Sequence, residues 1–306
     1  MKKFITKTLI LIFPFFICTV IYVVFDPFKV IRTYTNYYQY DEVGRVGINR
    51  DWVSTNTFID NSQTINYDSF IFGNSRSIFY EINDWKKYIE PHSNCYHFDA
   101  SGEALYGIYK KILFLDRNDT TIKNVIIIFD YDTLSKIIPN QGHLSIISPQ
   151  LEDNNNLIDF HLTFIKTFYN LKFMAAFIDY KISGKIKEYM KTENLLDDRP
   201  LHYDVITNEI TYPNFEELIE NGLYFTDSRM KVFFERGTHE EVSPVVIKQK
   251  QINMLQEIAD IFQRYHTNYK IIISPLYDQK KLNPQDLEAL RSIFGKDTVY
   301  DFSGIN

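Results

Sequence analysis

Cysteine is scarce in this chain. Only Cys18 and Cys95 occur in 306 residues. Cys18 lies in an apolar N-terminal run, which leaves Cys95 alone downstream. An intramolecular disulfide and a CxxC or Cys/His zinc pattern are therefore excluded, and neither a metal nor a cofactor is expected. Basic runs are missing too. The formal net charge is −6 and no stretch resembles a nucleic-acid arm, so no nucleic-acid partner is expected. There is no internal repeat and no low-complexity tract. Aromatic residues, by contrast, are abundant: 22 Tyr and 25 Phe. They read as core packing rather than as a sugar-stacking platform. With 45% apolar and 24% charged residues, most of the chain should fold around a core.

The N-terminus reads "MKKFITKTLILIFPFFICTVIYVVFDPF". Thr8 to Phe25 carry no charge over 18 residues. At about 1.5 Å per residue this run approaches the thickness of a bilayer core, and flanking residues extend it. Pro14 interrupts it, which membrane helices tolerate. No small-residue pair follows the run, so it lacks a signal-peptidase site. Cys18 follows Phe16-Ile17 rather than the small residues of a lipoprotein signal. Lys2, Lys3, Lys7 and the amino terminus precede the run, whereas Lys29 and Arg32 follow it. This bias predicts a single-pass protein of the cell membrane, with a cytoplasmic N-terminus and the main domain outside the cytoplasm.

Residues 1–28 thus read as a membrane anchor and 29–66 as a polar connector. Residues 67–306 read as one α/β domain, with a helical insertion or cap near 140–245. Buried strands are expected at 67–73, 94–98, 125–129, 269–274 and 298–302. Helices are expected at 78–90, 103–115, 159–182 and 246–269. Apolar, β-branched strands alternating with helices predict a flavodoxin-like, three-layer, mainly parallel sheet.

Polar residues cluster where these strands should end. "FIFGNSRS" leaves the first through Gly73-Asn74-Ser75-Arg76. "FDASGEALYG" leaves the second through Ser101-Gly102. "IIIFDYDTL" leaves the third through Asp130. Carboxyl ends of parallel strands are where open α/β sheets place ligands. The plain alternative is that such residues merely turn the chain.

In block order the chain resembles the SGNH (GDSL-like) hydrolases, in particular their membrane-anchored branch found near bacterial cell-envelope polysaccharide genes. The resemblance covers roughly residues 67–134 and 246–304. It implies that Ser75 is a nucleophile and that the backbone N–H groups of Ser75 and Gly102 donate to an oxyanion. It implies an ester hydrolase or O-acyl transferase acting on an envelope glycan or an acyl-transfer partner. Asn74 stands where the family has Asp. Asp130 stands near where the family has an oxyanion-donating Asn. Arg76 is a candidate for an anionic group.

The family's Asp-x-x-His base should follow the last strand, but the sequence reads "VYDFSGIN" and reaches Asn306 without it. Three readings remain: a truncated chain, a substitute histidine, or an impaired site. His161, in Asp159-Phe160-His161, and His239 are the candidate substitutes. Without a base a serine hydroxyl is a weak nucleophile, so a non-catalytic binding or assembly module is the alternative function.

Overall fold

The computed structural model describes residues 1–38, 45–153, 156–191, 196–197, 199–231, 233 and 239–305. Parts of the expected connector (39–44) and insertion (154–155, 192–195, 198, 232 and 234–238) lie outside the described residues. Helix α1 spans Lys2–Phe25, and its segment Thr6–Phe25 is long and apolar enough to cross a membrane. It ends at Asp26 in the left-handed conformation (φ 40°). The Asp26 carboxylate gathers the next turn, accepting from the N–H groups of Val30, Ile31 and Arg32 and from the Tyr34 hydroxyl. Arg32 in turn donates to the last helical carbonyls, Val23 and Val24. The exit of α1 is therefore a built joint, with orphan carbonyls satisfied by a cation.

The sheet has five parallel strands: β1 (Ser69–Phe72), β2 (Cys95–His97), β3 (Asn124–Phe129), β6 (Asn268–Ile273) and β7 (Val299–Asp301). Their order is β2-β1-β3-β6-β7, the doubly wound order whose switch point falls between β1 and β3. Period-2 alternation sorts the strand residues by face. Phe70, Phe72, Val125, Ile127, Phe129, Ile271 and Ile273 face one core. This core is closed by α2 (Arg50–Asn61), α4 (Leu105–Arg117), α11 (Gln249–Arg264) and α12 (Pro284–Phe294). Ile71, Ile126, Ile128 and Ile272 face the other side.

That second side is covered more thinly than expected. Residues 78–90 were expected to form one helix. They form a 3-10 turn at Ser77–Phe79, a single turn α3 (Ile82–Trp85) and a second 3-10 turn at Lys86–Tyr88. Phe79 is left 81% exposed. Apolar residues here sit at Ile82, Trp85 and Ile89, which gives too narrow a buried stripe to hold a longer helix against the sheet.

The expected connector also differs. Residues 50–61 of it form α2, whose first nine residues are buried. Its Asn49 cap accepts from Trp52 N–H, 2.8 Å. Polar side chains hid this helix from a hydropathy reading, because much of its buried face is satisfied by hydrogen bonds while only Trp52, Val53 and Phe58 enter the apolar cores.

Between β3 and β6 lies the insertion. It comprises α5 (Tyr131–Ser135), α6 (Leu157–Phe168), α7 (Leu171–Ser183), α8 (Glu188–Lys191), a hairpin of β4 (His202–Tyr203) and β5 (Ile210–Thr211), α9 (Pro213–Glu220) and α10 (Asp227–Met230). A second, aromatic core joins it to α1. Tyr22 and Phe28 pack with Phe164, Phe168, Phe173 and Phe177 of α6 and α7, and with Trp52 and Val53 of α2. The aromatic surplus is thus spent on packing.

Under this arrangement lies a buried charge cluster. Lys111 of α4 is fully buried between Asp51 (3.0 Å) and Glu103. Burial pushes the Glu103 carboxyl up to about 7; Lys111 opposes this and Asp51 adds to it. A carboxyl raised from 4.5 to about 7 on folding costs the folded state stability as pH rises through that window. Glu103→Gln should therefore flatten the fall in Tm as pH rises through that window. Lys111→Met should do the reverse: it strands two buried carboxylates and should cost about 3–5 kcal/mol. Thermal unfolding across a pH series checks both.

Candidate functional site

At the exit of β1 the chain has no room for a side chain. A Cβ at Gly73 would sit 2.8 Å from Ser77 Cβ and 3.1 Å from Ile128 Cβ. This explains the glycine. Beyond it Asn74 is buried and Ser75 is exposed. Asn74 turns its amide across the switch point and donates to Asp130 Oδ2 at the end of β3, 2.8 Å. Arg76 Nη1 reaches the same oxygen, 2.6 Å. Asp130 Oδ1 accepts the Thr133 N–H, 2.8 Å, capping α5. Asn74, Arg76 and Asp130 thus form one network tying the two central strand ends together. Asp130 is committed to three donors and is not free to bind a ligand.

Ser75 lines a cavity of about 220 Å³. Ala100 and Ser101, from the exit of β2, line it as well, so two expected blocks converge here. Gly102 follows at φ +60°, a conformation that suits glycine, and its carbonyl accepts from Asn140, 2.8 Å. It stands beside the lining rather than in it. The Ser75 hydroxyl makes no hydrogen bond to a described residue.

The remaining walls were not anticipated. They include Tyr38, Arg45, Arg50, Asp99, Asp197 and Tyr212. Arg50 and Asp99 form a buried ion pair, 2.8 Å. Burial opposes charge on both, yet each holds the other ionised: the Arg50 pKa is raised and the Asp99 pKa lowered. Arg50 also donates to the Asn208 carbonyl, while its Nη1 is buried with no hydrogen-bond partner. Arg45 pairs with Asp197, 3.5 Å. Among the described lining residues, two arginines are matched by two aspartates. The sequence did hold a signal for Arg50, since Asn49-Arg50-Asp51 is a capped helix start, but reading 29–66 as connector passed over it.

None of the seven histidines lines this cavity. His161 is on α6, half-buried against Phe160. Its expected partner Asp159 is instead bonded by Asn156. His239 is exposed. The histidine nearest to a serine is His97, whose Nε2 lies 3.0 Å from Ser77 Oγ. Both are buried, and burial lowers the His97 pKa to about 4. The Ser77 proton goes to the Asn74 carbonyl, 2.7 Å. Nε2 must therefore be the donor, and this pair cannot generate a nucleophile.

A larger cavity, about 600 Å³, opens at the amino edge of the sheet between Phe58, Tyr67, Asp68, Asn94 and Phe114. It lies opposite the edge where parallel sheets bind ligands. Among the described residues no cluster of three or more His, Cys, Asp or Glu could hold a metal ion. No family model, curated protein or solved structure matches the chain.

Asp130→Ala should release Arg76, leave the buried Asn74 amide with Thr133 Oγ1 as its one acceptor, and uncap α5. The combined loss should be about 2 kcal/mol, of which roughly 1 kcal/mol is the cap. Chemical denaturation measures it, and a change below about 0.5 kcal/mol would show that the network does not hold the switch point.

Proposed function

We propose that the chain is a membrane-anchored, SGNH-like α/β protein whose domain binds a neutral, hydroxyl-rich unit of a cell-envelope glycan in the Ser75 cavity. The observation that carries the binding reading is the cavity's composition. Two ion pairs present fixed donors and acceptors of balanced charge, and Tyr38 and Tyr212 supply aromatic walls. Paired donors and acceptors beside aromatic rings suit sugar hydroxyls and pyranose faces better than they suit an anion. The volume is below the roughly 300–1,000 Å³ of drug-sized sites, which fits one ring rather than a chain.

The resemblance supports a second reading, ester hydrolysis or O-acyl transfer through Ser75. In its favour are the exposed hydroxyl at the switch point and the convergence of the β1 and β2 exits. Against efficient turnover stands the lack of any histidine in the cavity. Positioned acid–base help is worth about 10²–10⁴ in rate, and a serine without it is a poor nucleophile.

Two measurements separate the readings. Saturation-transfer NMR with neutral mono- and disaccharides should show binding to the wild type. Ser75→Trp fills the cavity from an exposed position and should abolish that binding without changing Tm. Hydrolysis of an activated acetyl ester should be equal in wild type and Ser75→Ala. Rapid hydrolysis that Ser75→Ala removes would establish the enzyme reading instead. Absence of saccharide binding would remove the glycan reading.

A further inference from the structure

The hairpin of α6 and α7 runs back along the anchor helix. Phe177 of α7 meets Phe25 (ring centroids 6.1 Å) and Phe168 of α6 meets Tyr22 (5.3 Å). Tyr169, at the hairpin tip, meets Phe15 (6.1 Å). The Tyr169 hydroxyl donates to the Phe15 carbonyl, 2.9 Å, and lies 2.7 Å from Thr19 Oγ1. Phe15 is ten residues before Phe25, about 15 Å along a helix axis. A bilayer core is about 30 Å thick. Whatever surrounds α1 at residues 15–19 must also surround the tip of this hairpin.

The tip is built for such surroundings. Leu171, the first residue of α7, is 76% exposed, and Leu162 on α6 is 42% exposed. Part of the turn's hydrogen bonding is closed within the protein. The Asn170 side chain accepts from the N–H groups of Lys172 and Phe173, and Tyr169 is bonded to α1.

Resting on the reading that α1 spans a bilayer, we propose that the α6–α7 hairpin is a second membrane contact. It carries Leu171, at the tip, into the leaflet on the domain's side beside residues 15–19 of α1. The domain is then held in one orientation at two points, rather than swinging on a single tether.

The test uses the full chain reconstituted in phospholipid vesicles containing about one-quarter anionic lipid, with and without acyl-chain-brominated lipids. Tryptophans are added singly as Leu171→Trp, Ile182→Trp and Phe79→Trp; all three positions are highly exposed. Signals are differenced against the wild type, whose tryptophans are Trp52 and Trp85. The expected order of quenching is Leu171→Trp, then Ile182→Trp, then Phe79→Trp, with the first at least about twofold above the last, as an apolar face buried some 5–10 Å requires. Equal quenching of Leu171→Trp and Phe79→Trp, in protein that carbonate does not extract, would overturn the hairpin contact and leave the anchor standing. Extraction by carbonate would overturn the anchor, and the hairpin proposal with it.

Discussion

The buried pair of Arg50 and Asp99 is the interaction on which the rest of the domain depends. Asp99 ends the β2 block at the carboxyl edge of the sheet, and Arg50 opens α2. Around them the first turn of α2 acts as a hub. Asn49 donates to the His143 and Ile146 carbonyls, Asp51 holds Lys111 and the Ser148 N–H, and Ser54 donates to the Asp99 carbonyl. A buried ion pair gives little net stability against an apolar alternative, but removal of either partner is costly. Such a pair therefore fixes position. Here it sets α2 against the sheet edge, and α2 carries Trp52 and Val53 into the aromatic core and Phe58 into the sheet core. One helix thereby registers the anchor, the insertion and the sheet on one another.

Much of the sheet was legible in the sequence. The runs Phe70-Ile71-Phe72, Val125 to Phe129 and Ile271 to Ile273 are apolar and β-branched or aromatic, and strands buried on both faces need nothing else. Gly73 was legible as a strand exit because a backbone packed against Ile128 tolerates no side chain. Helix α1 was legible from its uncharged, apolar length. Helices α6 and α7 were legible as one apolar helical stretch, although Asn170 divides it by capping α7.

The cavity was legible only in part. Ser75 and the β2 exit announced themselves by position, since strand ends are local features. Arg45, Asp197 and Tyr212 did not, because the segments that carry them are far apart in sequence and their meeting is decided by tertiary packing; Arg50 showed only as a helix start. A buried arginine looks like any surface arginine until its aspartate is known. The same holds for α2: buried polar residues matched by partners carry no hydropathy signature. His161 shows the converse. Its Asp-x-His spacing is attractive on paper, but on a helix those two residues do not face each other, and Asn156 takes the aspartate.

The joint at Asp26 connects the anchor to the cavity. A small void lined by Phe25, Asp26, Phe177 and Lys181 shares Tyr38, Arg45, Val46 and Ile48 with the Ser75 cavity. Those four residues form a common wall, with the end of the anchor on one side and Ser75 on the other. Trp52 Nε1 donates to the Lys29 carbonyl, 3.1 Å, which fastens α2 to the segment leaving α1. The cavity therefore sits on the anchor's side of the domain. With α1 in a bilayer, a ligand of this cavity would be met close to the membrane surface. The wall is common to the end of α1 and the cavity, whereas the ends of β1 and β3 are locked separately by Asn74 and Asp130.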